Sequence, residues 1–243
     1  MNKPQKKTEE IHQLILENVE DHPADITAFV STNSGISRQA VHHHIQKLLV
    51  DGLIIAKGTT RDRVYAVKPL VNFSRNLQLK GLEEDKVWRQ YILPLMENVP
   101  ANVLQICQHG FTEMVNNAID HSEAVDLKIK LVRTYKLIEL QISDNGVGIF
   151  NKIQRELKLD DPLHAILELS KGKLTTDPAR HSGEGIFFTS RMFDKFSIAS
   201  GKLFYSYAEH SGDWLVEDHE KLVSGTTVVL SISSSAKIGR AHV

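Results

Sequence analysis

The stretch FTEMVNNAIDHS, Phe111 to Ser122, constrains the fold more than any other, because its two faces ask for different surroundings. At helical spacing His109, Glu113, Asn117 and His121 fall in one row. Leu104, Cys107, Phe111, Met114 or Val115, and Ala118 form the opposite, apolar row. The spacing predicts a helix that is half core and half chemistry. A carboxylate and an amide one turn apart suit a magnesium-nucleotide site, since Asn117 offers a neutral oxygen ligand and Glu113 can orient or deprotonate a nucleophile. Taken singly, Glu113 also fits a solvated helix residue, and His121 fits a charge that favours the C-terminal end of the helix dipole.

The chain of 243 residues has room for two domains. Its formal net charge of -1 excludes a wholly cationic polyanion binder, so any nucleic-acid surface must be a local patch. A single cysteine, Cys107, argues against a disulfide framework and for a reducing compartment, where it serves as a small core residue. No signal-peptide pattern opens the chain and no apolar run approaches bilayer-spanning length, so a cytoplasmic location without a membrane partner is expected. The tail 235–243, ending IGRAHV, reads as a non-native scar, and the natural protein is expected to continue further.

From Glu9 to Val19, Ile11, Leu14, Ile15 and Val19 repeat at helical spacing until Pro23 closes the segment. A short helix is expected over Asp25 to Val30. After the turn at Asn33 to Gly35, Ser37 is a good N-cap for a helix over Arg38 to Val50. Residues 53–56 and 64–67 flank a basic turn containing Gly58 and read as a hairpin. Residues 8–68, through SRQAVHHHIQKLLVDGLI and the hairpin, resemble the winged helix-turn-helix family. The resemblance implies a domain over 1–68 that binds DNA, with Ser37, Arg38, Gln39 and His42 or His43 facing bases and Lys57, Arg61 and Arg63 on the backbone. The adjacent His42, His43 and His44 point in different directions on a helix and do not converge on one metal ion.

Residues 69–81, with Pro69 and Gly81, read as a linker. A helix is expected over Leu82 to Asn98, kinked or divided by Pro94, and the organising helix then starts after Pro100. Period-two patterning over 124–132 and 136–143 predicts an antiparallel pair. Residues 150–182 read as a mixed helical and loop segment of lid-like length. A helix from Gly185 to about Phe193 and strands near 196–199, 203–208, 214–217 and 226–232 complete the chain.

Three motifs in order, FTEMVNNAIDHS, DNGVGI and HSGEGIFFTSRMF, with the trailing SGTTVVLSI, resemble the N box, the two glycine boxes and the last strand of the GHKL superfamily of ATPases. The expected fold class is therefore α+β: a small winged-helix domain, then a two-layer α/β sandwich over 82–234 with a mixed, mainly antiparallel sheet. The resemblance implies ATP and Mg2+ as cofactors. Asp144 would accept a hydrogen bond from the adenine amino group, where guanine presents a carbonyl. Gly146 and Gly148 would let backbone approach the base, and Gly183 and Gly185 would open a helix whose free N–H groups hold phosphate. Asn117 would ligate magnesium and Thr226 would sit near adenine, with Asn116 in the same site and Lys171, Lys173, Arg180 and His181 in the lid.

A histidine autokinase of this superfamily needs a phosphoacceptor hairpin before the ATPase domain, and residues 69–100 contain no His. The spacing of Glu113, Asn117 and His121 is instead similar to serine kinases of the anti-sigma-factor type, which act on a STAS-domain partner. There Glu113 would be the base, so a serine kinase or slow ATPase is the enzymatic expectation. The competing expectation is a DNA-binding transcription factor with an inactive ATPase-like half. A homodimer is compatible with both domain types.

Overall fold

The computed structural model describes residues 3–59, 62–161, 163–166, 185–209, 212–216 and 223–234. The chain divides into two compact units, Met1–Leu70 with Arg133–Lys136, and Val71–Val132 with Leu137–Val243. The fold is α+β, and its larger sheet is mainly antiparallel. No described helix is long and apolar enough to cross a membrane.

The first unit contains α1 (Lys3–Asn18), α2 (Ile26–Ser34), α3 (Arg38–Val50) and a hairpin of β1 (Ile54–Lys57) and β2 (Val64–Val67). Helix α2 runs past Val30 because Gly35, with φ of 70°, supplies its left-handed end and donates its N–H to Ser31 O. Ser37 starts α3 as expected, its hydroxyl accepting the Ala40 N–H at 3.2 Å. Ile15, Val19, Ile26, Val30, Val41, Ile45 and Leu48 are fully buried and join Ile54 and Val67 in one core. The hairpin register pairs Ile54 with Val67 and Lys57 with Val64.

The second unit begins with β3 (Val71–Gln78) and α4 (Glu84–Val87). It continues through α5 (Ala101–His121), β4 (Asp126–Arg133), β5 (Leu137–Asp144), α6 (Ile149–Leu157) and α7 (Gly185–Met192). Strands β6 (Lys195–Gly201), β7 (Leu203–Ala208), β8 (Gly212–Val216) and β9 (Val223–Ser233) complete it. The sheet order is β3-β4-β5-β9-β6-β7-β8, so the last strand lies at the centre, antiparallel to both β5 and β6. Helix α5 packs on β5 and β9. Its Cys107, Phe111, Met114, Val115 and Ala118 are buried, as the apolar row requires, while His109 is exposed and Glu113 and Asn117 are half-buried.

Two sequence expectations are corrected. The stretch 69–81 is not simply a linker: Val71, Phe73 and Leu77 alternate inward, and β3 forms the edge of the sheet, where a largely polar, exposed strand is tolerated. Residues 82–98 do not form one helix. The α4 turn passes into a π turn over Trp88–Ile92 and a 3-10 turn over Leu93–Leu95. Pro94 has no N–H to give and its ring crowds the preceding turn, so the ladder widens before it and tightens around it. The apolar positions are kept, with Val87, Trp88 and Ile92 buried and the Trp88 ring 5.6 Å from that of Phe111.

Candidate functional site

Asp144 is the last residue of β5, and it is held from two directions. Its Oδ1 accepts the Gly146 N–H at 2.9 Å, closing the turn after the strand, and the Thr226 N–H at 3.2 Å from β9. Thr226 in turn accepts the Ile149 N–H on its Oγ1 at 2.9 Å, at the start of α6. One threonine therefore fixes both the carboxylate and the first free N–H of the following helix. Burial pushes the Asp144 carboxyl up from its usual range, against the pull of the Gly146 and Thr226 hydrogen bonds.

The glycines of this turn are required by close approach. A Cβ on Gly146 would run into the carbonyl of Ser122, which accepts the Val147 N–H at 2.9 Å. Gly148 is buried with φ of 85°, and a Cβ there would lie 2.5 Å from Ser200 Oγ. Ser200 Oγ donates to the Gly225 carbonyl at 2.8 Å. At Gly146 and Gly148 the turn thus closes on the end of α5 and on Ser200 with no room for a side chain of its own.

Glu113 meets the start of α7. A Cβ on Gly185 would lie 2.7 Å from Glu113 Oε2, so a larger residue there would push this carboxylate aside. Gly110, one turn earlier on α5, likewise faces Phe193 and Thr189, where a Cβ would clash with the Phe193 ring. The end of α7 is tied to the sheet by Arg191, whose guanidinium lies 3.9 Å over the Tyr207 ring. Asn117, one turn after Glu113, has an amide nitrogen that is buried and without a hydrogen-bond partner. An unsatisfied buried amide carries a desolvation cost of about 1–3 kcal/mol that a bound ligand would relieve. An orphaned amide nitrogen on Asn117 and a fixed carboxylate on Asp144 thus stand on the elements that carry the N-box-like and first glycine-box-like motifs. Asn116 is half-buried on the adjoining helical position and points about 100° away from Asn117. Gly183, Lys171, Lys173, Arg180 and His181 lie outside the described residues.

Four supporting residues carry no role in the sequence reading, although Ser122, Asn145 and Gly225 stand inside its motifs. Gly225, with φ of 71°, sits where a Cβ would strike the Asp144 backbone and lie 2.7 Å from its Oδ1. The pairing of β6 with β9 slips between Ser200 and Gly201, so Ser224 and Gly225 bulge out, and a glycine inside a strand pattern was the available signal. Asn145 Oδ1 accepts the N–H groups of Val125 and Asp126 at 3.2 and 3.0 Å, stapling the turn to the start of β4. Ser122 offers its carbonyl to the turn and Ser200 offers its hydroxyl to β9, and neither leaves a pattern in sequence. Beside them Glu123 binds Lys152 at 2.8 Å and also Arg155, holding α6 to the end of α5. Those hydrogen bonds, Lys152 first, draw the Glu123 carboxyl below its usual range.

In the first unit Arg38, Gln39 and His42 are exposed on the opening turns of α3, and Ser37 is engaged as its cap. His42 Nε2 lies 3.2 Å from Gln46 Nε2. Lys57 and Arg63 are exposed on the hairpin, with the Arg63 guanidinium 5.5 Å from the Tyr65 ring centroid. Arg61 lies outside the described residues. Among the described residues no group of three or more His, Cys, Asp or Glu could hold a metal ion. Compared with known proteins, the chain matches no family model and no curated protein.

Proposed function

We propose that the second unit binds ATP with magnesium as a GHKL-type domain, and that the chain is a cytoplasmic regulator in which nucleotide state alters what a DNA-binding winged helix or a protein partner meets. The observation that carries the reading is the fixed Asp144 carboxylate. With Oδ1 committed to the Gly146 and Thr226 N–H groups, Asp144 keeps acceptor capacity on its other oxygen, which suits the adenine amino group and rejects the guanine carbonyl. Asn117 would hold the metal through its amide oxygen, since rotating the amide presents either atom. Magnesium, when bound, offsets phosphate charge. Gly185, at the N-terminus of α7, supplies backbone N–H groups for phosphate oxygens. Glu113, packed against that helix start, is the base for a serine of a STAS-like partner or for water.

Calorimetric titration with Mg-ATP tests the reading. Asn117→Ala and Asp144→Ala should each abolish binding, and unchanged binding in both variants would sink it. Phosphate release or transfer to a serine, lost in Glu113→Gln, would add catalysis to binding. DNA affinity measured with and without ATP separates a coupled switch from a DNA-binding protein with an idle second unit.

A further inference from the structure

The first unit carries a groove that shares only Arg63 with the residues expected on DNA. It is a shallow, open depression of about 490 Å3 between the C-terminal half of α3 and the hairpin, lined by Gln46, Leu49, Val50, Ile55, Arg63 and Lys68 among others. Val50, the last residue of α3, is 86% exposed, the most exposed large hydrophobic side chain among the described residues. Leu49 and Ile55 are half-buried beside it, and Arg63 and Lys68 are exposed. Arg63 and Lys68 are the charged residues among those lining it, and both are basic.

Two physical arguments choose the occupant. A cationic rim attracts an anionic partner, and no acidic side chain lines the groove to oppose it. Phosphate gains nothing from an exposed valine and its half-buried neighbours, whereas an apolar side chain does. Val50 also lies about 18 Å along α3 from Arg38, at the 1.5 Å rise of a helix, so this end of the helix is well removed from the turns expected on bases.

We propose that this groove docks a short peptide segment of a protein partner that carries both apolar and acidic side chains, its apolar residue covering Val50 and Leu49 and its carboxylates meeting Lys68 and Arg63. The site is separate from the nucleotide pocket and does not depend on it.

The test uses the full chain and fluorescein-labelled twelve-residue peptides in anisotropy titrations. One alternates Leu and Glu in pairs, a second replaces every Leu by Ser at the same charge, and a third replaces every Glu by Lys. The Leu-Glu peptide should bind, and Val50→Asp and Lys68→Glu should each weaken it about tenfold or more. Lys68→Glu should improve the Leu-Lys peptide. Circular dichroism and the unfolding midpoint of the variants, which change exposed positions, should match the parent chain. Equal binding of the Ser-Glu peptide would reduce the groove to a charge effect and overturn the proposal, as would failure of the Leu-Glu peptide to bind. A loss of duplex DNA affinity in Val50→Asp equal to the loss of peptide affinity would assign the groove to nucleic acid instead. A fall in solution mass of Val50→Asp relative to the parent would assign it to a second copy of the chain.

Discussion

Asp144 Oδ1 accepts the backbone N–H of Thr226, 82 positions later in the chain, at 3.2 Å. The contact locks the end of β5 to the central strand β9, and the same oxygen closes the turn to Gly146. Burial raises the Asp144 carboxyl above its unfolded value. The folded chain therefore favours the protonated form: this contribution to stability is full below the unfolded value and is lost as pH rises through the folded one. At neutral pH the charge is a cost. Asp144→Asn keeps an oxygen for the two N–H groups while removing that charge, so its melting temperature at pH 7 should equal or exceed that of the parent while nucleotide binding disappears. A fall of several degrees in thermal denaturation would contradict this.

Gly146→Ala and Gly225→Ala should each destabilise the second unit by about 1–3 kcal/mol or more, because both place a Cβ against backbone that has no alternative path. Gly201→Ala is the contrast. Its φ of 61° carries strain but nothing lies near the added atom, so about 1 kcal/mol is expected. Urea unfolding of the three variants gives the order directly.

The apolar row of α5 and the strand alternation of β4 and β5 were legible because burial on one face leaves a period, and Cys107, Phe111, Leu127, Ile129 and Leu140 are buried as that period requires. Glu113 and Gly185 were legible singly, as members of motifs, but the packing that would bring a Cβ on Gly185 within 2.7 Å of Glu113 Oε2 was not, since it depends on how α7 meets α5. Ser122, Asn145 and Ser200 act through backbone carbonyls, side-chain acceptors and a single hydroxyl that any loop could carry. Edge strand β3 was hidden because a half-exposed strand needs few apolar residues, and here Pro69 and Gly81 frame it like a linker.

The lone thiol should be inert in the folded chain. Cys107 is fully buried on the inner face of α5, and burial pushes its thiol up to about 12. Iodoacetamide at pH 8 should leave it unmodified by mass spectrometry until denaturant is added. Rapid labelling of the native chain would contradict the buried position.

Acid should weaken the first unit. The His12 ring meets that of His44 edge to face at 5.2 Å, and the buried His12 Nε2 has no hydrogen-bond partner. Burial above all, then His44 and Lys47, lowers the His12 value, and burial, then His43 and Lys47, lowers that of His44. A histidine depressed in the folded state keeps its full contribution above the unfolded value of 6.5 and loses it as pH falls toward the folded one. The denaturation midpoint of the first unit should therefore drop between pH 7.5 and about pH 5, and His12→Phe should flatten that dependence. An unchanged slope in the variant would show that these rings do not carry it.

An adenine-selective site built on Asp144 should show itself when the full chain is titrated with Mg-ATP and, in parallel, Mg-GTP in a calorimeter. ATP should bind in the micromolar range and GTP at least about tenfold more weakly, the loss expected when a carbonyl replaces the donor facing a buried acceptor. Equal affinity for the two nucleotides, or no heat with ATP, would contradict it.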